Sequence, residues 1–258
     1  MRLMKKDLMK KNNKREHTTQ LIYPMRLQRY LAKCGLGSRR YCEKLIELGE
    51  IKVNGDVVNI QGVSVHDDDS VTYQDTEVIP NKYIYIILHK PVGYLCSNAD
   101  PYHTQFARDL IDIPEKMSLF HVGRLDMYSS GLIIFTNDGD FAQKISHPSY
   151  EIEKEYEVRT ALPIDESSLR NIVDHGITIE GISYTIESYE KISSRAARLI
   201  LKEGKNREIR KIFSYLGYQI LSLRRIRIGT IVIDDLPSGS FRSMTQKEIS
   251  SVTGEDIL

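Results

Sequence analysis

One aspartate in this 258-residue chain stands where a side chain could do chemistry. Asp126 follows Gly123-Arg124-Leu125 and precedes a short connection, after which Gly131 opens the apolar run Leu132-Ile133-Ile134-Phe135. Such a run reads as a buried strand, and a carboxylate in the connection ahead of it is exposed yet held by a rigid element. A turn aspartate bonding nearby amides would leave the same pattern. Two other segments bear on the choice. In Lys154-Glu155-Tyr156-Glu157-Val158 a period of two sets Lys154, Tyr156 and Val158 on one face and both glutamates on the other. Tyr156 is then either core filler or a plate on which a base stacks. In GKNREIRKIFSYLG, residues 204–217, the residues Ile209, Ile212, Phe213 and Leu216 form an apolar helical stripe ended by Gly217. Arg207, Arg210 and Lys211 share a different face, and guanidinium groups there suit a carboxylate or a phosphate. Arg224, Arg225 and Arg227 follow in LSLRRIRIG.

The elements that must position these residues follow from the patterning. FAQKISH reads as a short helix, EKEYEVRT as an alternating strand, and KYIYIILHKPVGY as a buried strand ending at Lys90-Pro91 with a sharp turn at Gly93. Antiparallel-looking strands with scattered helices argue for an α+β domain. Ahead of it, Leu27, Tyr30, Leu31 and Cys34 mark one face of a helix, with Arg26, Arg29 and Lys33 on the other side. Gly35 and Gly37 break that helix, Ser38 caps a second whose apolar positions are Cys42, Leu45 and Ile46, and Gly49 stops it. Asn54-Gly55 then joins two β-prone runs as a hairpin. VTYQDTEVIP reads as a last strand and a linker. Residues 1–24 read as a basic flexible arm, 25–80 as a small module with its linker, and 81–258 as the larger domain.

The net charge of +1 is unevenly spread. Residues 1–24 hold seven Lys/Arg against two acids and residues 202–227 hold eight against two, whereas 61–80 hold five acids and no Lys/Arg. Concentrated basic segments on a nearly neutral chain suit contact with a polyanion, or simply a solvated face. Three cysteines without a C-x-x-C pair and seven scattered histidines suggest neither a disulfide framework nor a zinc site. No apolar run approaches 18 residues, so no membrane span is expected, and no signal peptide is read at the N-terminus. CGLGSRR lacks the third glycine of a dinucleotide fingerprint, and GKN does not complete a P-loop.

MRLQRYLAKCGLGSRRYCEKLIELGEIKVNGDVV resembles the S4-like RNA-binding domain in its G-L-G-S-R-R…I-x-x-G-x-I-x-V-N-G pattern. That resemblance implies that Arg39, Arg40 and Lys44 meet RNA phosphates, which position an RNA without reading its sequence. From about Ile86 to Glu248 the chain resembles the RsuA/RluB family of ribosomal RNA pseudouridine synthases. The resemblance rests on L-H-K-P-x-G, G-R-L-D-x(4)-G-L-x(3)-T-N-D-G, E-K-E-Y-E-V and G-x-N-R-x-I-R, followed by L-x-R-x-R-I-G. Ser129 stands where that family often has Thr. The resemblance implies a pseudouridine synthase domain of mixed, mainly antiparallel sheet with flanking helices. It makes Asp126 the essential aspartate, Tyr156 the tyrosine packing on the target base, Arg210 the arginine pairing with the aspartate, and Leu223 an apolar pocket residue. Arg124 falls beside the aspartate as a further substrate contact, and Arg207, Lys211, Arg224 and Arg225 as RNA contacts.

The reaction so implied is the isomerisation of uridine to pseudouridine, which needs no cofactor and no metal. The expected partner is ribosomal RNA or a pre-ribosomal particle, met in the cytoplasm by a monomer. D-P-x-H-T…F-x-V-G-R-L-D tilts the substrate toward the large subunit. A non-catalytic RNA-binding assembly factor is the alternative, and a carboxylate facing RNA phosphates speaks against it. A small-molecule lyase or hydrolase fits less well, given the basic segments and the absence of a nucleophile–base pair.

Overall fold

The structure, a computed structural model, describes residues 21–97 and 100–254. The basic arm expected over 1–24 therefore lies outside the described residues except for 21–24. The chain forms two compact units, one ending at Tyr83 and the other beginning at Ile84.

In the first unit, helix α1 spans Leu27–Lys33 and α2 spans Arg39–Glu47. The Ser38 hydroxyl caps α2 by accepting from the Tyr41 amide at 3.2 Å. Leu27, Tyr30 and Leu31 pack with Cys42, Leu45 and Ile46 over Ile51, Val65 and Val71. Strands β1 (Ile51–Val53) and β2 (Asp56–Val58) are joined by Asn54 and Gly55, with φ of 53° and 90°. Two consecutive left-handed residues are what a tight hairpin of this hand requires. The stretch read as one last strand is a second hairpin, β3 (Val71–Tyr73) and β4 (Thr76–Glu77), because Gln74 and Asp75 both turn left-handed. The four strands form one antiparallel sheet in the order β2-β1-β3-β4. Lys33 departs from its expected place on the polar side of α1. It is buried, its ammonium 4.4 Å from the Tyr83 ring centroid and hydrogen-bonded to the Tyr83 hydroxyl, a partner that helical spacing cannot reveal.

The second unit is built on one sheet. Its strands are β5 (Tyr85–Lys90), β6 (Phe120–Val122), β7 (Ser130–Thr136), β8 (Lys154–Thr160), β9 (Ser188–Ser193), β10 (Ala196–Leu201), β11 (Ile220–Ile228) and β12 (Phe241–Ser243). Their order is β9-β10-β8-β11-β7-β5-β12, with β6 beside β7 and the short Ile231–Val232 strand beside β11. Every pairing is antiparallel except β11 with β7. The class is α+β, mainly antiparallel, as the sequence suggests.

Helices cover both faces of the central strands. α4 (Glu166–His175) and α5 (Glu208–Tyr215) bury Leu169, Ile172, Ile209, Ile212 and Phe213 against Val158, Leu199 and Leu223. On the opposite face α3 (Gly139–Ser146) brings Phe141 and Ile145, and α6 (Gln246–Thr253) brings Ile249, to Ile87, Leu132 and Ile134. Ile86, Leu88, Ile133 and Phe135 point the other way, into a cluster with Cys96, Ala107, Ile111 and Leu125. Strands β5 and β7 are thus buried on both sides, which is why their sequences are continuous apolar runs and do not alternate. Among the described residues no helix is long and apolar enough to cross a membrane.

Candidate active site

Asp126 sits in the tight connection between β6 and β7, and every hydrogen bond it accepts is local or comes from α5. Its Oδ1 accepts the Tyr128 amide at 2.9 Å, and its Oδ2 accepts the Ser129 hydroxyl at 2.9 Å. Oδ2 also takes Nε of Arg210 at 3.0 Å. The remaining Arg210 bonds run from Nη2 to the Tyr128 carbonyl at 2.8 Å and the Ser129 hydroxyl at 3.0 Å. The guanidinium therefore gives the carboxylate one donor and spends its other bonds on the turn that carries the carboxylate. Ser129, 1% exposed, donates a hydrogen bond to Asp126 and accepts one from Arg210. The Asp126 side chain keeps 23% of its surface open and Arg210 15%, so the pair is fixed while still reachable.

The frame beneath the pair is one row across the sheet. Tyr156 on β8 faces Arg225 on β11, Arg225 faces Gly131 on β7, and Gly131 faces Lys90 on β5. Gly131 has φ of +111°, and a Cβ there would sit 2.1 Å from the Arg225 carbonyl oxygen, so only glycine lets β7 and β11 approach this closely. Arg225 is buried and donates from Nε to the Leu132 carbonyl at 2.8 Å. Lys90 is fully buried, its ammonium donating to the Pro91 carbonyl at 2.9 Å and the Tyr94 carbonyl at 2.8 Å. Burial holds its pKa below the usual lysine value, with Cys96 and Asp126 pulling it back up and Arg225 opposing them. The turn that follows Lys90 is tied to the aspartate's loop, since the Gly93 amide donates to the Met127 carbonyl at 2.8 Å. Tyr156 is half-buried where two apolar clusters meet.

Comparison with known proteins gives this arrangement its place. Residues 84–215 match the RNA pseudouridylate synthase family and residues 25–71 match the S4 domain. The chain belongs to the RNA pseudouridine synthases. It is 39% identical to an uncharacterized RNA pseudouridine synthase of Borreliella burgdorferi, over 88% of this chain and 92% of that protein. With ribosomal large subunit pseudouridine synthase B of Bacillus subtilis the identity is 32%, over 87% of this chain and 93% of that one. A crystal structure of a pseudouridylate synthase superimposes with a TM-score of 0.65 at 28% identity, covering 88% of this chain and 99% of the other.

Within this pseudouridine synthase the structure brings together Asp126 and Arg210, sets Tyr156 in the row that underlies them, and places Leu223 in the core behind Tyr156. Arg124 is exposed and makes no hydrogen bond or ion pair among the described residues. Arg39, Arg40 and Lys44 are likewise exposed on α2 without an acidic partner.

Two expectations change, for Arg207 and Arg225, and two further candidate RNA contacts, Arg224 and Lys211, have neighbours within the chain. Arg207 is not on the α5 face: it precedes the helix in a left-handed conformation, φ 53°, and is exposed. Arg225 cannot meet RNA at a surface, being 3% exposed and bonded within the sheet. Arg224 leaves its strand on the face away from Tyr156 and lies 4.0 Å from Glu157. Lys211 is drawn to Tyr184, its ammonium 3.1 Å from the hydroxyl. Sequence reasoning passed over Lys90 and Glu208, both buried. The signal for Lys90 was available, a cation at the end of an otherwise apolar strand. Glu208 carried none, because a glutamate in a first helical turn ordinarily faces water.

Proposed function

We propose that this enzyme converts a uridine of large-subunit ribosomal RNA to pseudouridine, with Asp126 as its essential carboxylate. The observation that carries the reading is the Asp126 cradle: a partly open carboxylate locked by an amide, a hydroxyl and a guanidinium. The Bacillus subtilis and Vibrio cholerae relatives, both named ribosomal large subunit pseudouridine synthase B, support the substrate.

The reaction breaks the glycosidic bond from N1, turns the freed uracil and rejoins it through C5. No atom is gained or lost, so the chain has to supply one reactive carboxylate, a surface to hold the loose base, and exclusion of water that would divert the sugar to hydrolysis. Asp126 is the carboxylate and Tyr156 the surface. Arg210 preorganises the cradle before substrate arrives, so that little reorganisation accompanies the chemical step. A stacked uridine is out of reach, so the base is flipped into the site at a cost of a few kcal/mol. Phosphate contacts from Arg39, Arg40 and Lys44, with Arg124 beside the aspartate, offset that cost. Ribosomal RNA as substrate implies action in the cytoplasm, by one chain per target site.

Carbodiimide mapping of pseudouridine across both ribosomal RNAs tests the proposal. Cells with the gene, without it, and carrying Asp126→Asn are compared. One large-subunit site is expected to vanish in both defective strains, while the purified Asp126→Asn protein binds RNA as wild type does. Persistence of every site in the deletion strain would refute the ribosomal substrate, and an active Asn variant would refute the role of Asp126.

A further inference from the structure

Arginines on the outer face of the sheet divide into two kinds. Arg198 on β10 contacts Glu157 and Glu190, each at 3.3 Å. Arg224 on β11 faces Glu157, and Arg227 reaches Glu155 at 2.6 Å and Glu153 at 3.2 Å. Arg159 and Arg195 are different: both are exposed, and neither side chain has a hydrogen bond or an acidic partner among the described residues. These two line one cavity of about 270 Å³ with Thr160, Leu221 and Ser222. Two exposed arginines and a serine lining one cavity, with no acidic partner among the described residues, suit a tetrahedral oxyanion.

The register shows where this cavity stands relative to the chemistry. β11 runs parallel to β7, with Arg224 opposite Ser130, so Leu221 and Ser222 at the start of β11 lie toward the end of the sheet at which the Asp126 loop enters β7. β8 is antiparallel to β11 and ends there, with Arg159 opposite Ser222. β10 begins there, with Ala196 opposite Arg159, and the Thr160 amide donates to the Arg195 carbonyl at 2.9 Å. The cavity is therefore at the same end of the sheet as Asp126. β8 is two strands from β7, about 10 Å across the sheet at about 4.8 Å per strand, and Arg159 and Ser222 project from the face opposite Tyr156, so the cavity is reached from the Asp126 loop around the sheet end.

We propose that the Arg159–Arg195 cavity holds a backbone phosphodiester of the RNA substrate, a few nucleotides from the flipped uridine. The strand whose uridine enters at Asp126 rounds this end of the sheet and is gripped where it crosses the ends of β8 and β10. The paired arginines beside the cavity are already neutralised, which confines the grip to one point and sets the register of the RNA on the enzyme. The inference rests on RNA being the substrate and deepens the reading given above.

The test is the double variant Arg159→Gln, Arg195→Gln in the full chain, with Arg159→Lys, Arg195→Lys as the charge-keeping companion. Affinity for an in-vitro transcript of large-subunit ribosomal RNA is measured against salt, together with steady-state pseudouridine formation. The Gln pair is expected to raise KM about tenfold, with the loss falling on KM and not on kcat, and to flatten the slope of log K against log salt by about 0.7–0.9, the value of one lost phosphate. The Lys pair recovers most of the slope. Unchanged slope and KM in the Gln pair overturn the proposal. So does calorimetric binding of inorganic phosphate that the Gln pair abolishes while RNA binding is untouched, which marks a site for the free ion. Should the wild-type enzyme bind this transcript without modifying it, the ribosomal reading fails, and the slope comparison still decides the cavity.

Discussion

At the scale of single residues the decisive group is Arg210, because it stabilises the aspartate and the aspartate's own turn at once. A lysine carries the same charge but only a compact ammonium, and cannot reach Asp126, the Tyr128 carbonyl and Ser129 together. Arg210→Lys is expected to lower kcat at least tenfold, to leave KM for RNA within about twofold, and to cost about 1–3 kcal/mol of stability from the lost bonds at a mostly buried site. Steady-state kinetics and thermal melting measure both, and wild-type turnover would show that the cradle needs charge alone. The pairing of Arg210 with Asp126 was legible in two separate motifs. Its geometry was not, since a motif names partners without saying which nitrogen serves which oxygen. The bonding is one donor to the carboxylate with the rest of the fork on the turn, not the two-pronged pairing an arginine and a carboxylate suggest. Arg225 shows the same limit more severely. In the sequence it is one more cation of a basic strand, and only the pairing of β11 with β7 reveals that it lies buried.

At the scale of elements, the local signals were readable wherever the chain decides its own conformation: the Ser38 cap, the Asn54-Gly55 hairpin, the stripe of α5. Features that depend on a distant partner were not. Gly131 reads as a simple break before an apolar run, yet its necessity comes from a carbonyl of Arg225 far along the chain. Gly131→Ala is expected to lower stability by about 3 kcal/mol or more and to reduce kcat in whatever protein folds, because β7 must part from β11 directly behind Asp126. An unchanged melting temperature would mean that the two strands yield. Glu208 is a second such case. It is 4% exposed, its Oε2 accepts the Lys205 amide at 3.0 Å, and its Oε1 is buried without a partner. Burial raises its carboxyl above the ordinary 4.5, and the Lys205 amide lowers it in part. A raised folded value stabilises the protonated form, so this contribution is complete below the unfolded value and is lost as pH rises through the folded one. Glu208→Gln keeps an acceptor for the amide and removes the charge. Its melting temperature is expected to exceed that of wild type above pH 7, with the gap closing on acidification, and a less stable variant at pH 8 would contradict this.

At the scale of the whole molecule, the distribution of charge matters more than its sum. Arg198, Arg224, Arg227 and Arg242 each contact a glutamate, and Arg210 is spent on Asp126. A count of basic residues thus overstates the surface available to a polyanion. Cations without an acidic partner among the described residues include Arg39, Arg40 and Lys44 on α2 of the first unit, and Arg124, Arg159, Arg195 and Arg207 in the second. On the proposed reading the first unit, which matches the S4 domain, grips RNA and the second carries the chemistry, which separates binding from turnover. Arg39→Ala with Arg40→Ala removes two exposed cations and no packing, so the melting temperature stays within about a degree, in line with ordinary surface substitutions. RNA affinity at low salt falls, and the slope of log K against log salt flattens by about 1.5 if both residues meet phosphates. At saturating RNA, kcat stays close to wild type, because no atom of the Asp126 cradle belongs to the first unit. A fall in kcat equal to the fall in affinity would mean that α2 acts on the transition state itself, and the first unit would then be part of the catalytic apparatus and not only its grip on the RNA.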